Sequence, residues 1–461
     1  MPVPKLEKII GIEVYVTSSV GIGGVIRQSV EDFVVEEVLV DGSKAEINQT
    51  DRKSDYLPLG SHPAVDRYLL CVLAKRNWDT FLAIRAIAQH LGISTRRIQI
   101  AGIKDAKAVT VQHITIESIP AEELKKVQVK DMTIQPLGYF HRKISSYFLQ
   151  GNQFHLVIRA IDHSESVVKK RIAKTIEEIY EIGGVPNFFG HQRFGTVRPI
   201  THLVGKAVVQ GNLEKAAMIL LAKPSPYEHP NSKLVREQLE TTQDFKQALR
   251  IFPKQLHYER LMLGHLAENP EDFVGAFRRL PIRLRRLFPQ AYQAYLFNKF
   301  LSRRIKCGLP LNGAEVGDYA VHVELSGLPT NTMHKIVETQ TLVEVNKAIR
   351  AGRMHMAIPL IGLKQQPSKG FQGEIEKQIL EEEKVSPEDF KIVAIPEISA
   401  RGKLRTAKTP LNNFSIEETS KDTANPSKRK AEVDFMLHRG SYATIVLREL
   451  MKPHHIITAG F

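Results

Sequence analysis

Along most of the chain apolar and polar positions recur with a readable period. Between residues 67 and 75 Tyr68, Leu69, Leu70, Cys71, Val72 and Leu73 form a short apolar run, which predicts a strand. Phe81, Ile84, Ala88 and Leu91 follow at helical spacing, with Asp79 or Thr80 to cap the helix and Gly92 to close it. Ile98 and Ile100 end a further strand, the chain turns at Gly102, and Val109 to Ile116 resumes as another. A strand is also predicted over 153–158, and a helix after Asp162 and Glu165, which resemble a capping box. Its stripe is Val168, Ile172, Ile176 and Ile179, and Gly183-Gly184 end it.

From about 200 to 395 the period becomes mainly helical. Segments are predicted at 213–221 and 237–250, then a helix carrying Tyr292, Leu296 or Phe297, and Phe300 on one face. Residues 317–323 read as a short strand and 374–383 as an acidic helix turned away from any polyanion. Residues 24–38 read as strand, turn and strand; 43–66 as a polar connection or insertion; and 415–431 as a flexible loop before a strand at 433–437. Two or three domains are expected of 461 residues.

Composition narrows the function classes. Lys and Arg total 64 against 50 Asp and Glu, a net charge of +14. A surface of that sign attracts polyanions, and nucleic acid is one candidate. Cys71 and Cys307 lie far apart with no CxxC, so neither a disulfide framework nor a zinc site is supported. No apolar run has membrane-spanning length and Met1 to Glu7 has no secretory core, so a cytoplasmic protein is expected. The cluster Gly21 to Gly24 precedes a strand instead of following one, and so is no dinucleotide fingerprint; no P-loop is present.

Three stretches carry candidate chemistry. Lys104 and Asp105 sit on a tight connection between two strands, where Asp105 is either a solvated turn residue or a catalytic carboxylate. Val185 to Gly195 packs Phe188, Phe189 and Phe194 among Asn187, His191, Gln192 and Arg193 with no regular period. The stretch suits a nucleotide pocket, with aromatics for a base, an amide for its edge and Arg for phosphate; it equally suits a loop plugging the core. Arg27 stands at a strand end, and Arg283, Arg285 and Arg286 form a cluster that either grips an RNA backbone or covers a solvated helix face. Gly440-Ser441 opens the last helix, as a phosphate site or as a simple Ser441 N-cap.

In this order, Ser29 to Glu36, Ala101 to Asp105 with Ala108, Thr110 and Gln112, Gly151 to Phe154, Val185 to Gly195, Leu296 to Asn298, and Gly440 to Leu450 resemble the TruD family of tRNA pseudouridine synthases in its archaeal form. The likeness spans nearly the whole chain and is weakest over 396–436. It implies an α+β fold with a mostly antiparallel sheet and flanking helices. Residues 1–195 and 396–461 would form the catalytic domain and 196–395 a mixed α/β insertion domain. It implies Asp105 as the essential aspartate, with Asn187 and Phe189 holding it and stacking the target base. Phe33, Lys104, Gln192 and Arg193 are expected beside them on the RNA, with Arg27 where bacterial members have lysine. The implied partner is tRNA, modified at uridine 13, with no cofactor, metal or protein partner and a monomeric chain. The rival readings are a non-catalytic tRNA-binding relative and a tRNA methyltransferase. An intact Lys104-Asp105 speaks against the first, and the lack of a Gly-rich cofactor loop against the second.

Overall fold

The computed structural model describes residues 2–46 and 67–461. The expected connection at 43–66 therefore lies largely outside the described residues. The strands are β1 (Phe33–Leu39), β2 (Tyr68–Arg76), β3 (Ile98–Ile100), β4 (Val109–Glu117), β5 (Met132–Phe140), β6 (Leu149–Ile161), β7 (Val185–Pro186), β8 (Tyr319–Val323), β9 (Pro329–Ile336), β10 (Met354–Leu360), β11 (Lys403–Thr406), β12 (Lys408–Thr409), β13 (Asn412–Lys421) and β14 (Arg429–His438).

The larger sheet runs β13-β14-β6-β1-β4-β2-β5, with β3 paired to β4 off that path. Every pairing is antiparallel except β1 with β4, where Val34 lies opposite Val109. The expected α+β class with a mostly antiparallel sheet is what the chain adopts. Helix Glu165–Glu181 buries Val168, Ile172, Ile176 and Ile179 against β6, β14 and the C-terminal helix Ala443–Met451. Helix Thr80–Leu91, capped by the Asp79 carboxylate and closed by Gly92 in the left-handed region, packs on β2, β3 and β4.

Residues 201–280 form a helical layer with its own apolar core. The helix Ile282–Lys306 carries Tyr292, Leu296, Phe297 and Phe300 into the core, all fully buried. A smaller antiparallel sheet, β11-β10-β8-β9, draws three strands from 319–360 and β11 from beyond 395.

Four local expectations are corrected. Residues 415–431 are not a loop but most of a hairpin, β13 and β14; its strand β13 is a sheet edge, where polar side chains need not bury. Residues 24–32 give only an isolated bridge, Val25 to Arg159, before a single turn of 3-10 helix. The helix expected over 237–250 is two, Pro230–Thr242 and Phe245–Ile251, because Gln243 turns left-handed and Asp244 caps anew. Ser164, not Asp162, precedes the Glu165 helix; Asp162 pairs with Lys428.

Candidate active site

The turn bearing Asp105 is fixed from three sides. Lys104 points inward, its Nζ 2.8 Å from Glu37 Oε1 and 2.6 Å from Asn152 Oδ1, and both charged side chains are almost wholly buried. The Thr80 hydroxyl lies 3.1 Å from the Lys104 backbone N and 3.2 Å from its O, while Lys75 Nζ donates to the Asp105 carbonyl at 3.0 Å and to that of Trp78 at 2.6 Å. Gln112 Nε2 donates to the Gly102 carbonyl. Burial pushes the Lys75 ammonium down to about 8. With Lys104 anchored in the interior, the next side chain faces outward: the Asp105 carboxylate is 40% exposed.

Its partner is Arg27, whose Nη2 lies 3.3 Å from Asp105 Oδ2. Arg27 has φ of 57°, uncommon for a non-glycine residue, and its guanidinium lies 4.1 Å from the ring centroid of Phe33. Burial lowers the Arg27 pKa, opposed by Asp105. Phe33, expected on the RNA, is itself buried and serves as the floor under Arg27. Lys104, expected there too, is committed to Glu37.

The aromatic loop divides between the two readings. Phe188 and Phe194 are fully buried, whereas Phe189 is half-buried at the wall of a cleft of about 1250 Å³. Asn298 holds the loop, accepting from the Phe189 N–H at 2.9 Å and donating to the Phe189 and Ile10 carbonyls. Arg193 also lines the cleft, near Phe189 and bonded to Gln290; Gln192 is exposed. Asn187 does not reach Asp105. Its partners are Thr406 Oγ1, Ser441 Oγ and the guanidinium of Arg405. Ser441 is no helix cap: it bonds Asn187 and Thr409, and the last helix begins after Tyr442 with no side-chain cap.

Asp105 and Arg27 do not line this cleft themselves but adjoin it. The link is Leu149, which lines it and packs over Gly102, so that a Cβ there would meet the leucine at 3.3 Å. Around the cleft Arg193, Arg286, Lys364, Arg401, Lys403, Arg405 and Arg439 face one carboxylate, Glu397, which Arg285 already neutralises at 2.5 Å. The cleft histidines His355 and His438 are held neutral by burial, His355 down at about 4. Of the predicted arginine cluster only Arg286 lines the cleft; Arg283 lies over the ring of Phe81. Arg405 was not singled out from the sequence, and Arg439 and Tyr442 entered only as neighbours of Gly440-Ser441 with no role given to them. For Arg405 the only signal was the short run Lys403-Leu404-Arg405-Thr406, in which a basic residue stands at every second position. Among the described residues no group of three His, Cys, Asp or Glu is placed to hold a metal, and no helix is long and apolar enough to cross a membrane.

The sequence model of the family described as "tRNA pseudouridine synthase D (TruD)" matches residues 9–450. A Methanosarcina mazei protein named "Probable tRNA pseudouridine synthase D" is 41% identical over 452 residues, 98% of each chain. Its namesake from Methanosarcina acetivorans is 42% identical over 98% of each, and that of Pyrococcus abyssi 35% over 95% of this chain and 98% of its own. The crystal structure of the M. mazei TruD protein superposes with a TM-score of 0.82 over 98% of this chain and 99% of its own. Likeness along the whole length, in sequence and in fold, defines the class as an RNA-modifying isomerase. The chain belongs to the TruD family, the tRNA pseudouridine(13) synthases, which convert a uridine of tRNA to pseudouridine.

Proposed function

We propose that Asp105 is the carboxylate that performs the isomerisation of uridine 13. The observation that carries this reading is a half-exposed carboxylate on a turn whose backbone and neighbouring side chain are all tied down, paired with the cation of Arg27. The reaction breaks the bond between ribose and the uracil nitrogen N1, turns the base, and rejoins it through carbon 5, whose proton is released while N1 takes one up. Atoms balance without any oxidant, reductant or external nucleotide. A fixed carboxylate serves either as nucleophile at the sugar or as base toward the neighbouring sugar proton. Arg27 Nη2, 3.3 Å from Asp105 Oδ2, orients the carboxylate.

The target uridine must leave its stack to reach Asp105, and Phe189 at the cleft wall offsets that cost, worth about 1–3 kcal/mol per stacked base. The cationic cleft accounts for the affinity for an RNA backbone. In this reading the eight-stranded sheet belongs to a catalytic domain of residues 1–195 and 396–461, and residues 196–395 are an insertion domain closing over the tRNA. Arg193 and Gln192 flank the bound nucleotide, while Asn187 acts through Arg405. The enzyme works in the cytoplasm as a monomer without cofactor.

The test is tritium release from tRNA carrying uridine labelled at carbon 5, with the native protein and Asp105→Asn. Release by the first and none by the second, with tRNA binding retained, is expected. Equal release from both removes Asp105 from the chemistry.

A further inference from the structure

Arg405 stands on β11, opposite Ile358 of β10, and reaches from the smaller sheet into the wall of the cleft. Two of its three guanidinium nitrogens are spent on protein. Nε donates to the Asn187 carbonyl at 2.9 Å, and Nη2 to Asn187 Oδ1 at 2.5 Å and to the Gly440 carbonyl at 2.9 Å. The guanidinium carbon lies 4.1 Å from the ring centroid of Phe189 and 5.6 Å from that of Phe297. One side chain thus holds the backbone on which Phe189 is carried, and covers one face of its ring.

The third nitrogen, Nη1, has no hydrogen-bond partner among the described residues. It lies beside Gly440, where a Cβ would stand 3.8 Å away and no side chain exists to cover it. Every oxygen that Arg405 does bond is neutral, and among the described residues no carboxylate pairs with it. Its charged neighbours are of like sign: Arg193 opposes its charge, and Lys403 and Arg439 belong to the same wall. Burial lowers its pKa to about 10, which leaves it protonated at neutral pH. A partly buried guanidinium at the cleft wall, with no counterion and a free donor, is a ready partner for an arriving anion.

We propose that Arg405 binds a phosphate of the everted target nucleotide through Nη1, while Nε and Nη2 hold Asn187 and Phe189 in place for its base. The proposal rests on the reading of Asp105 and this cleft as the active site. A purely structural Arg405 would account for the hydrogen bonds to Asn187 and Gly440, but not for a partly buried cation left with a free donor and no carboxylate at the cleft wall.

The test uses the full-length protein with Arg405→Gln and Arg405→Lys, measuring tRNA binding across salt concentrations and single-turnover tritium release. Melting temperature is recorded for each. The phosphate contact predicts that Arg405→Gln weakens binding about tenfold and lowers the slope of log affinity against log salt by about one. Arg405→Lys keeps that slope, because it keeps a cation. It slows release at least about tenfold with affinity near native, because an ammonium cannot reproduce the fork on Asn187. A native slope in folded Arg405→Gln overturns the phosphate contact. Native release by Arg405→Lys overturns the positioning role, and if the glutamine variant fails to fold, the salt slope of Arg405→Met decides the phosphate contact in its place. Absence of tritium release from the native protein would instead count against the Asp105 reading, with the salt slope still deciding the phosphate contact.

Discussion

Arg27 and Asp105, 78 residues apart in the chain, meet at 3.3 Å across the turn that follows β3. Neither position is shaped by the other's local sequence. Arg27 arrives through a left-handed backbone conformation and a perch on Phe33, Asp105 through the inward anchoring of Lys104.

That pairing gives the first prediction. Arg27→Met removes the cation beside the carboxylate and keeps a long side chain to cover Phe33. Single-turnover tritium release is expected to fall at least about tenfold, an effect of the size of one lost charged hydrogen bond, with affinity for tRNA little changed. Arg27→Lys restores a part of the rate. A methionine variant as fast as the native enzyme removes Arg27 from the site.

Lys104 supports Asp105 from behind. Lys104→Met leaves Glu37 buried with no cation, its remaining partners being the backbone N–H and ring of His113. Urea denaturation should show a loss of about 3–5 kcal/mol, the usual cost of breaking a buried pair from one side. Adding Glu37→Gln should recover part of the stability. Rate need not recover with it, since Asp105 is released from its anchored turn in both variants.

Asp422, at the tip of the β13–β14 hairpin, supplies a pH dependence of stability. Burial alone would raise its pKa, but the N–H groups of Ala160 and Ala424, the Asn425 amide and Arg159 outweigh that and bring it to about 2. A carboxylate depressed in the folded state contributes stability that is present above its unfolded value near 4 and lost as pH falls through about 2. Asp422→Asn should cost about 2 kcal/mol at neutral pH, and the difference from the native protein should vanish towards pH 2. A constant difference across pH 2–5 would show that the carboxylate charge is not the cause.

Gly190 follows Phe189 and packs against Tyr442. A Cβ at 190 would lie 2.9 Å from Thr444 Oγ1 and 2.9 Å from Tyr442 Cδ1, so the ring beside Phe189 must move. Gly190→Ala is expected to slow release about tenfold, with a smaller effect on melting temperature. Unchanged release would mean that Tyr442 can yield without disturbing Phe189.

How much of this was legible beforehand differs from element to element. The Thr80–Leu91 and Glu165–Glu181 helices and strands β2, β4 and β6 follow from apolar spacing, because one buried face imposes its period on the sequence. The turn at Gly102 was readable from residue type, and Asp105 as its candidate carboxylate from motifs in order. The hairpin of β13 and β14 was not. Its edge strand is stabilised by pairing with a neighbour rather than by burial, so its residues carry no alternation to detect.

What the sequence alone determined is the elements with one buried face, the excess of positive charge and the family, with Asp105 as the candidate carboxylate. What only the tertiary structure decided is which way each charged side chain faces. Lys104 and Asp105 are adjacent, yet one is buried on Glu37 and the other open beside Arg27. Phe188 and Phe189 are adjacent, yet one fills the core and the other lines the cleft. Arg405 joins Asn187 and Gly440, 218 and 35 residues distant, in one hydrogen-bonded cluster. Residue type sets what a side chain can do. Its partners are set by burial and by long-range strand pairing, which local sequence does not encode.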